Sequence, residues 1–332
     1  MTPAKPDRNL ALELVRVTEA AALAAAHWMG RGDKNAADAA AVDAMRLMLN
    51  SVAIDGVVVI GEGEKDEAPM LYNGEKVGTG EMPQVDIAVD PIDGTTLLSR
   101  GQANSIAVIA VSERGTMLDP GPCVYMEKVA TGPEARDAID IEKPIEDNIK
   151  AVAKAKGLDV NEVTVAMLDR PRHDDFVTRA RAIGARVRLF SDGDIATAIA
   201  AGRGFLGIDL LYGIGGTPEG VTAAAALTCI GGSIQGRLWP RNDDERALAV
   251  EQGFDVDKPL TTKDLCSGED IFFSATGITD GFLLEGVRYG KDRITTQTMI
   301  MRSRSGTLRT VIGEHDANKL RAISAEEPWR RH

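Results

Sequence analysis

The stretch VDIAVDPIDGTT, residues 85–96, decides how the rest of the chain is interpreted. Its apolar run, residues 87–89, predicts a buried strand that delivers Asp90 at its C-terminal end. Pro91 stiffens the following turn, and Asp93 comes three residues after Asp90, so both carboxylates can point into one space. Mg²⁺ prefers such oxygen ligands, together with waters and phosphate oxygens. An ordinary proline–aspartate–glycine turn has the same sequence pattern, so this stretch alone leaves both interpretations open.

The next three residues, Gly94-Thr95-Thr96, offer free backbone N–H groups at the predicted start of a helix. Such groups point along the helix axis and carry a partial positive charge, which makes the position suitable for a phosphate group. The stretch therefore combines a predicted metal site with a predicted phosphate site.

A second acidic segment follows another predicted strand. Residues 57–60 form a β-branched run, and residues 61–67 (GEGEKDE) place four carboxylates directly after it. A strand end followed by a glycine-spaced glutamate is typical of ligand presentation in α/β enzymes, which favours Glu62. A solvated charge run is the alternative, and it suits Glu64 and Glu67 better.

Asp38 and Glu219 are candidates on predicted helices. Asp38 lies in the first turn of a helix that is predicted from its apolar spacing, with Asn35 placed as the N-cap. Asp33 is the other candidate ligand of this segment, and the alternative for both aspartates is that they only complement the helix dipole. Glu219 lies in the glycine-rich residues 213–220 ahead of an alanine-rich helix, but neither a dinucleotide fingerprint nor a P-loop lysine accompanies it.

Positive charge comes from the turn Arg170-Pro171-Arg172-His173, which follows a predicted strand at residues 163–167. A rigid turn with two arginines is suited to bidentate binding of a phosphate, and a solvent-exposed basic turn is the alternative. Asp192-Gly193-Asp194 follows the predicted strand 186–190 and can accept hydrogen bonds from sugar hydroxyls. Asp194 can equally do no more than cap the helix predicted at 195–201.

The order of these elements predicts the fold class. The chain has 332 residues, about twice the size of a typical domain, and predicted helices alternate with predicted strands. We therefore expect an α/β protein, or an α+β layered sandwich. A polar, proline-containing stretch at 131–162 predicts a boundary between two domains, residues 1–162 and residues 163–332. Residues 298–301 and 308–312 predict a hairpin near the end.

Composition excludes several classes of protein. Hydrophobic residues make up 44% and charged residues 27%, which is typical of a globular chain with a core. A net charge of −12 argues against a general binder of nucleic acid or anionic membrane, since both require a basic surface. The three cysteines are widely spaced, which predicts neither a disulfide framework nor a zinc site. No apolar run reaches the ~18 residues of a membrane span, and the first residues carry no targeting pattern, so we expect a cytoplasmic protein.

Taken together, these segments resemble class II fructose-1,6-bisphosphatases, the bacterial glycerol-regulon type, within the lithium-sensitive sugar phosphatase superfamily. DPIDGT marks the superfamily, whereas VIGEGEKDEAPMLYNGEKVG and YGIGGTPEG mark the class. The other matching blocks are RGDKNAADAAAVDAMR, GQANSIAVIAV, YMEK, RPRHD, DGD and FSATGITDG. The resemblance covers nearly the whole chain and implies a layered α/β sandwich of the sugar-phosphatase fold. It also implies a homo-oligomer, either a dimer or a tetramer.

The resemblance implies roles for individual residues. The implied ligands of two or more Mg²⁺ or Mn²⁺ ions are Asp38, Glu62, Asp90, Asp93 and Glu219. Asp66 and Thr95 would be the catalytic pair that orients and deprotonates the attacking water. The implied substrate contacts are Asp93, Gly94, Thr95, Tyr125, Arg170, Pro171, Arg172, Asp192, Gly193, Asp194 and Gly216. Residues 1–162 would then be the metal-binding catalytic domain, and residues 163–332 a substrate-binding domain that contributes Glu219 to the metal site.

The implied activity is metal-dependent hydrolysis of the 1-phosphate of fructose 1,6-bisphosphate to fructose 6-phosphate and phosphate, a step of gluconeogenesis. The DPIDGT motif does not separate this activity from that of an inositol or nucleotide monophosphatase, but the basic turn and the class-specific blocks favour a sugar bisphosphatase. Sedoheptulose 1,7-bisphosphate stays open as a second substrate. A nucleotide-binding dehydrogenase or regulatory module is the alternative from another class, and the missing GxGxxG pattern weighs against it.

Overall fold

A computed structural model describes residues 9–62, 71–204 and 206–320. The α-helices in these ranges are α1 Ala11–Ala26, α2 Lys34–Leu49, α3 Thr95–Ser99, α4 Ile145–Lys156, α5 Asp174–Ala182, α6 Asp194–Arg203, α7 Thr217–Ile230, α8 Asp243–Glu251 and α9 Thr262–Leu265. The strands are β1 Asp55–Ile60, β2 Lys76–Val77, β3 Gln84–Asp93, β4 Ile106–Glu113, β5 Tyr125–Thr131, β6 Thr164–Leu168, β7 Arg186–Phe190, β8 Leu210–Gly216, β9 Ser233–Leu238, β10 Phe272–Gly277, β11 Arg288–Tyr289, β12 Arg293–Arg302 and β13 Thr307–Asp316.

The strands form two mixed sheets. Among the described residues, the first sheet has eight strands in the order β11-β12-β10-β4-β3-β1-β2, with β13 paired to β12. β1 and β3 are parallel, whereas β3, β4, β10 and β12 pair antiparallel in succession. The second sheet has five strands in the order β7-β6-β8-β5-β9, in which β6 is parallel to β7 and β8. The predicted layered α/β class is confirmed.

Helices separate and cover the two sheets. α1 and α2 lie on one face of the eight-stranded sheet, where Leu14 and Met45 belong to the same hydrophobic cluster as Ile87. α6 and α7 lie between the two sheets, and α4 and α5 cover the far face of the five-stranded sheet. Successive side chains of a strand point to opposite faces, so Ala88 faces the middle helices while Ile87 faces α1 and α2. The layers therefore run helix, sheet, helix, sheet, helix.

The middle layer is made of small apolar residues. Residues 223–226 of α7 are four alanines, each at most 2% exposed, because sheet strands contact the helix from both sides. A helix that is covered on two sides is apolar around its circumference. Larger side chains here would overpack the layer, at a typical cost of about 1–3 kcal/mol. This packing brings the first turns of α6 and α7 close to the end of β3.

Several predicted elements are confirmed and some details differ. The strands at 57–60, 163–167 and 186–190 and the 298–312 hairpin are present. The predicted N-cap Asn35 is wrong, because α2 begins two residues earlier, at Lys34, and the N-cap Asp33 accepts a hydrogen bond from the N–H of Ala36 at 3.0 Å. All three cysteines are buried and have free thiols.

The two-domain division at residue 162 stays a prediction. The five-stranded sheet includes β5, which precedes the boundary, and the eight-stranded sheet includes β10 to β13, which follow it. Neither sheet is therefore confined to one side of residue 162. In the described part of the chain, no helix combines the length and apolar character needed to cross a bilayer.

Candidate active site

The DPID stretch lies at the end of β3, and the strand extends further than the sequence indicates. β3 continues to Asp93, and its pairing with β4 is irregular between Asp90 and Asp93. The Ile92 N–H donates to Asp90 Oδ1 at 3.1 Å, which forms a local turn within the strand end. Asp93 is 3% exposed, and its Oδ2 accepts a hydrogen bond from the Ala196 N–H at 3.0 Å. Burial raises the pKa of both aspartates, and the neighbouring carboxylate Asp93 raises that of Asp90 further.

The predicted phosphate site, Gly94-Thr95-Thr96, lies at the start of α3. Gly94 adopts a left-handed conformation (φ 93°) as the N-cap, where a Cβ would meet the Leu97 side chain at 3.0 Å. One of the expected donors is already used, since the Thr96 N–H donates to Asp192 Oδ2 at 3.0 Å. α3 is only five residues long. The hydrogen bond from Thr96 to Asp192 connects the DPIDGTT segment to the DGD segment. The two segments are far apart in sequence, so the sequence alone does not predict the contact.

Asp38 lies one turn into α2 and faces Thr95. The Thr95 hydroxyl donates to Ile92 O at 3.1 Å, and it lies close enough to the Asp38 carboxylate to lower the pKa of that group. Burial raises the pKa of Asp38 to about 6, against the lowering effects of Thr95 and Lys34. The Lys34 ammonium donates to Thr96 Oγ at 2.8 Å. The carboxylate of Asp33, by contrast, caps α2, so the two aspartates of this segment have different environments.

Glu62 follows β1 directly. Its N–H donates to Leu71 O at 2.9 Å, which holds the strand end against the returning chain. Burial raises the pKa of Glu62 to about 7, and the charges of Asp38 and Glu219 act in the same direction. The predicted catalytic Asp66 lies outside the described residues.

Glu219 is in the first turn of α7, after the end of β8. Its carboxylate folds back over Gly216, where any Cβ would overlap Glu219 Oε2. Glycine at 216 therefore leaves the space that the carboxylate occupies. Glu219 Oε2 is buried and has no hydrogen-bond partner in the part of the chain that the structure describes. Burial raises the pKa of Glu219, the Lys128 charge lowers it, and the charges of Asp194 and Asp192 raise it.

Lys128 lies near the carboxylates of Asp194 and Glu219, although no sequence motif predicts a role for it. It lies on β5, and its Nζ is 2.5 Å from Asp194 Oδ2 and donates to Gly216 O at 3.0 Å. Its neighbours two residues away, Met126 and Ala130, are fully buried, so Lys128 occupies an inward position of the strand. A lysine at an apolar position of a strand was the available signal. Asp194, predicted to contact substrate, here pairs with this lysine.

The basic turn reaches the site from the five-stranded sheet. Arg170 donates to Asp169 O and to Ser191 O, each at 2.8 Å. Arg172 donates to Ile214 O from Nε at 3.2 Å and from Nη2 at 2.8 Å. Its guanidinium carbon also lies 5.3 Å from the centre of the Tyr125 ring, within cation–π distance. Backbone acceptors thus hold both arginines while part of each five-donor guanidinium group remains for a ligand.

The carboxylate cluster suits a divalent cation in its chemistry. The candidate donors are all hard oxygen atoms, which Mg²⁺ and Mn²⁺ prefer. A buried, unpartnered oxygen such as Glu219 Oε2 is costly unless a ligand or ion satisfies it. In the described part of the chain, no group of three or more His, Cys, Asp or Glu side chains has the arrangement of a formed metal centre. The suitability of these carboxylates for a divalent cation is therefore argued from the donor type, their burial and the repulsion between their like charges.

A layered α/β fold whose strand ends carry buried carboxylates and an arginine turn is suited to a metal-dependent phosphatase. The model of the family described as bacterial fructose-1,6-bisphosphatase, glpX-encoded, matches residues 8–315. The chain is 47% identical over 321 residues to fructose-1,6-bisphosphatase 1 class 2 of Escherichia coli K12, covering 93% of this chain and 95% of that protein. The class 2 enzyme of Shigella flexneri is similar to the same extent.

The chain therefore belongs to the bacterial class II fructose-1,6-bisphosphatase family. It is a phosphoric monoester hydrolase that acts on fructose 1,6-bisphosphate in gluconeogenesis, and the family is metal-dependent. The monophosphatase and dehydrogenase alternatives are not supported.

Proposed function

We propose that the protein removes the 1-phosphate of fructose 1,6-bisphosphate with two or more Mg²⁺ or Mn²⁺ ions. The proposed ligands are Asp38, Glu62, Asp90, Asp93 and Glu219. The observation that carries this proposal is the buried Glu219 Oε2, which has no hydrogen-bond partner among the described residues. Burial raises the pKa of each of the five proposed ligands. Bound cations would neutralise the phosphoryl oxygens and lower the pKa of the attacking water.

Thr95 is the proposed proton carrier. In the proposed mechanism its hydroxyl accepts the proton of the attacking water and passes its own proton to a carboxylate. Asp66 is the acceptor predicted from the family resemblance. The proximity of the Thr95 hydroxyl to the Asp38 carboxylate supports a role for Asp38 in orienting this hydroxyl.

The second phosphate of the substrate is assigned to Arg170 and Arg172. Their position beside Tyr125 and the Ser191 carbonyl supports this assignment, since both guanidinium groups are held in place before any ligand arrives. Because the chain has a net charge of −12, the attraction for a bisphosphate has to be local. The sugar hydroxyls would meet residues 192–194. The same two phosphate sites could accept sedoheptulose 1,7-bisphosphate, which has one more carbon.

The experiment for this assignment compares Arg172→Ala with Arg181→Ala, an exposed arginine of α5. We expect Arg172→Ala to raise KM for fructose 1,6-bisphosphate about tenfold or more, the scale of a lost charged hydrogen bond. Arg181→Ala should leave KM unchanged. An unchanged KM in Arg172→Ala removes this arginine from the phosphate site.

A homo-oligomer and a cytoplasmic location stay predictions from the sequence. Sedimentation of the purified protein and fractionation of cells test them directly.

A further inference from the structure

The side chain of His173 fills a gap between two parallel strands of the five-stranded sheet. β6 and β8 pair only at Val165 with Leu210 and at Ala166 with Leu211. Beyond these pairs, His173 Nδ1 lies 2.7 Å from Leu168 O, and the Ile214 N–H donates to His173 Nε2 at 2.8 Å. The imidazole thus bridges the two strands where they no longer bond to each other directly.

Arg172 completes the contact with the same residue of β8. Its guanidinium group donates twice to Ile214 O, while His173 accepts from the Ile214 N–H. Two consecutive residues of the basic turn therefore hold both backbone polar groups of Ile214. Since Ile214 precedes Gly216 by two residues, this contact lies directly before the start of α7.

His173 is buried, and its neighbours pack closely around the imidazole ring. The side chain is buried, with 1% of the residue exposed. Gly213 has a positive φ of 137°, and a Cβ there would lie 3.0 Å from His173 Nε2, closer than a side chain packs comfortably. The Phe176 ring lies nearly parallel to the imidazole, with 6.1 Å between centroids. The absence of a side chain at Gly213 therefore leaves the space that the imidazole occupies.

We propose that His173 is a positioning residue for the phosphatase reaction, which fixes Ile214 and thereby aims the Arg172 guanidinium group at the second phosphate. This inference rests on the proposed function, because it takes Arg172 as a phosphate ligand. His173 itself touches neither the substrate nor the reacting atoms.

The bridge requires a neutral imidazole, in which Nδ1 carries the hydrogen and Nε2 accepts. Burial lowers the pKa of His173, as does the charge of Arg172, while the hydrogen bonds to Leu168 and Ile214 and the charge of Asp194 raise it. The other ionisable groups that line the small cavity beside the ring are Lys128 and Tyr212. A second proton would sit on Nε2 and face the Ile214 N–H, so the bridge is intact above the ordinary imidazole pKa of 6.5 and is lost as pH falls through the lowered value.

The test uses two variants with opposite expectations. His173→Phe keeps an aromatic ring but removes donor and acceptor, whereas His173→Gln keeps one donor and one acceptor and does not titrate. At pH 8 we expect His173→Phe to raise KM for fructose 1,6-bisphosphate about tenfold, as Arg172→Ala does, because both lose one charged phosphate contact. The kcat should stay within about twofold of the wild type, and His173→Gln should keep a KM near the wild-type value.

The double variant Arg172→Ala/His173→Phe separates positioning from independent effects. If His173 acts through Arg172, the double variant has the KM of Arg172→Ala alone. Effects on KM that multiply in the double variant, or a fall in kcat with unchanged KM in His173→Phe, would overturn the inference. If Arg172→Ala itself leaves KM unchanged, the proposed phosphate site fails, which is a distinguishable result.

A pH series decides the question even where His173→Phe does not fold. The ratio of wild-type KM to His173→Gln KM cancels the titration of the substrate phosphates, since both proteins bind the same ligand. We expect this ratio to rise as pH falls through the pKa of His173, which lies below the ordinary imidazole value of 6.5. A ratio that stays flat down to the lowest pH at which both proteins remain folded would contradict the proposed role.

Discussion

Lys128 Nζ lies 2.5 Å from Asp194 Oδ2, and both residues are almost fully buried. The same ammonium group donates to Gly216 O, so one cation joins β5, the start of α6 and the N-cap of α7. Its charge also lowers the pKa of Glu219, against the effect of burial. The Lys128 ammonium group is therefore a fixed positive charge among the carboxylates of Asp194 and Glu219.

Removing this charge should destabilise the fold. Lys128→Met leaves Asp194 buried without a partner, and breaking a buried pair in this way typically costs about 3–5 kcal/mol. The double variant Lys128→Met/Asp194→Asn removes both charges and should recover most of the loss. Urea unfolding of the metal-free proteins measures the difference. Equal losses in the single and double variants would show that the pairing is unimportant.

The metal-free protein should lose stability as pH rises. Burial raises the pKa of Asp38 to about 6 and that of Glu62 to about 7, so the folded state holds protons that the unfolded state has released. This contribution to stability is fully present below the ordinary carboxyl pKa of about 4 and is lost as pH rises through 6 and 7.

Unfolding in EDTA at pH 5 and at pH 8 tests this expectation, with a difference of at least ~1 kcal/mol in favour of pH 5 from these groups. Added Mn²⁺ should stabilise the protein more at pH 8, where the carboxylates are ionised. Because other groups also titrate, Glu62→Gln is the matched control, and its stability should depend less on pH. The same pH dependence in both proteins would contradict the account.

Loss of the Thr95 hydroxyl should lower kcat and leave substrate binding nearly unchanged. Thr95→Ala removes the hydroxyl beside Asp38 and should lower kcat by at least ~100-fold with a similar KM, the usual scale for a lost proton-transfer group. Thr95→Ser keeps the hydroxyl and should retain most activity. Steady-state kinetics measure both, and a near-normal kcat in Thr95→Ala would exclude the proton-carrying role.

Two aspartates of one segment provide a matched pair for the metal site. Asp38→Asn should weaken Mn²⁺ binding and turnover together, because it removes a charged ligand. Asp33→Asn keeps an N-cap side chain and should leave both unchanged. Calorimetric titration of the metal-free proteins with Mn²⁺ checks the two variants, and equal effects would refute the assignment of Asp38. Asp90→Ala and Glu219→Ala should abolish metal-dependent turnover.

The sequence predicted the strands and the acidic loops because their signals are local. A β-branched run followed by glycine and glutamate places Glu62 without any knowledge of the rest of the chain. Asp33 was missed as N-cap because Asn35, two residues later, has the same capping chemistry. The continuation of β3 to Asp93 was missed because proline usually ends a strand, whereas here the pairing with β4 is irregular at that point.

Contacts between distant segments could not be predicted in the same way. The bond from Thr96 to Asp192 and the pair of Lys128 with Asp194 depend on how the two sheets pack around α6 and α7. The sequence places His173 in the basic turn, but only the structure shows it between β6 and β8. Such contacts follow from tertiary packing, which no single segment encodes.

The most direct test of the account is phosphate release from fructose 1,6-bisphosphate by the purified protein, with Mg²⁺, with Mn²⁺, with EDTA, and with added Li⁺. Coupled detection of fructose 6-phosphate identifies which phosphate is removed. The account predicts release that requires a divalent cation, stops in EDTA, is inhibited by lithium and yields fructose 6-phosphate. A folded protein that releases no phosphate with either cation, or releases it equally in EDTA, would contradict the account.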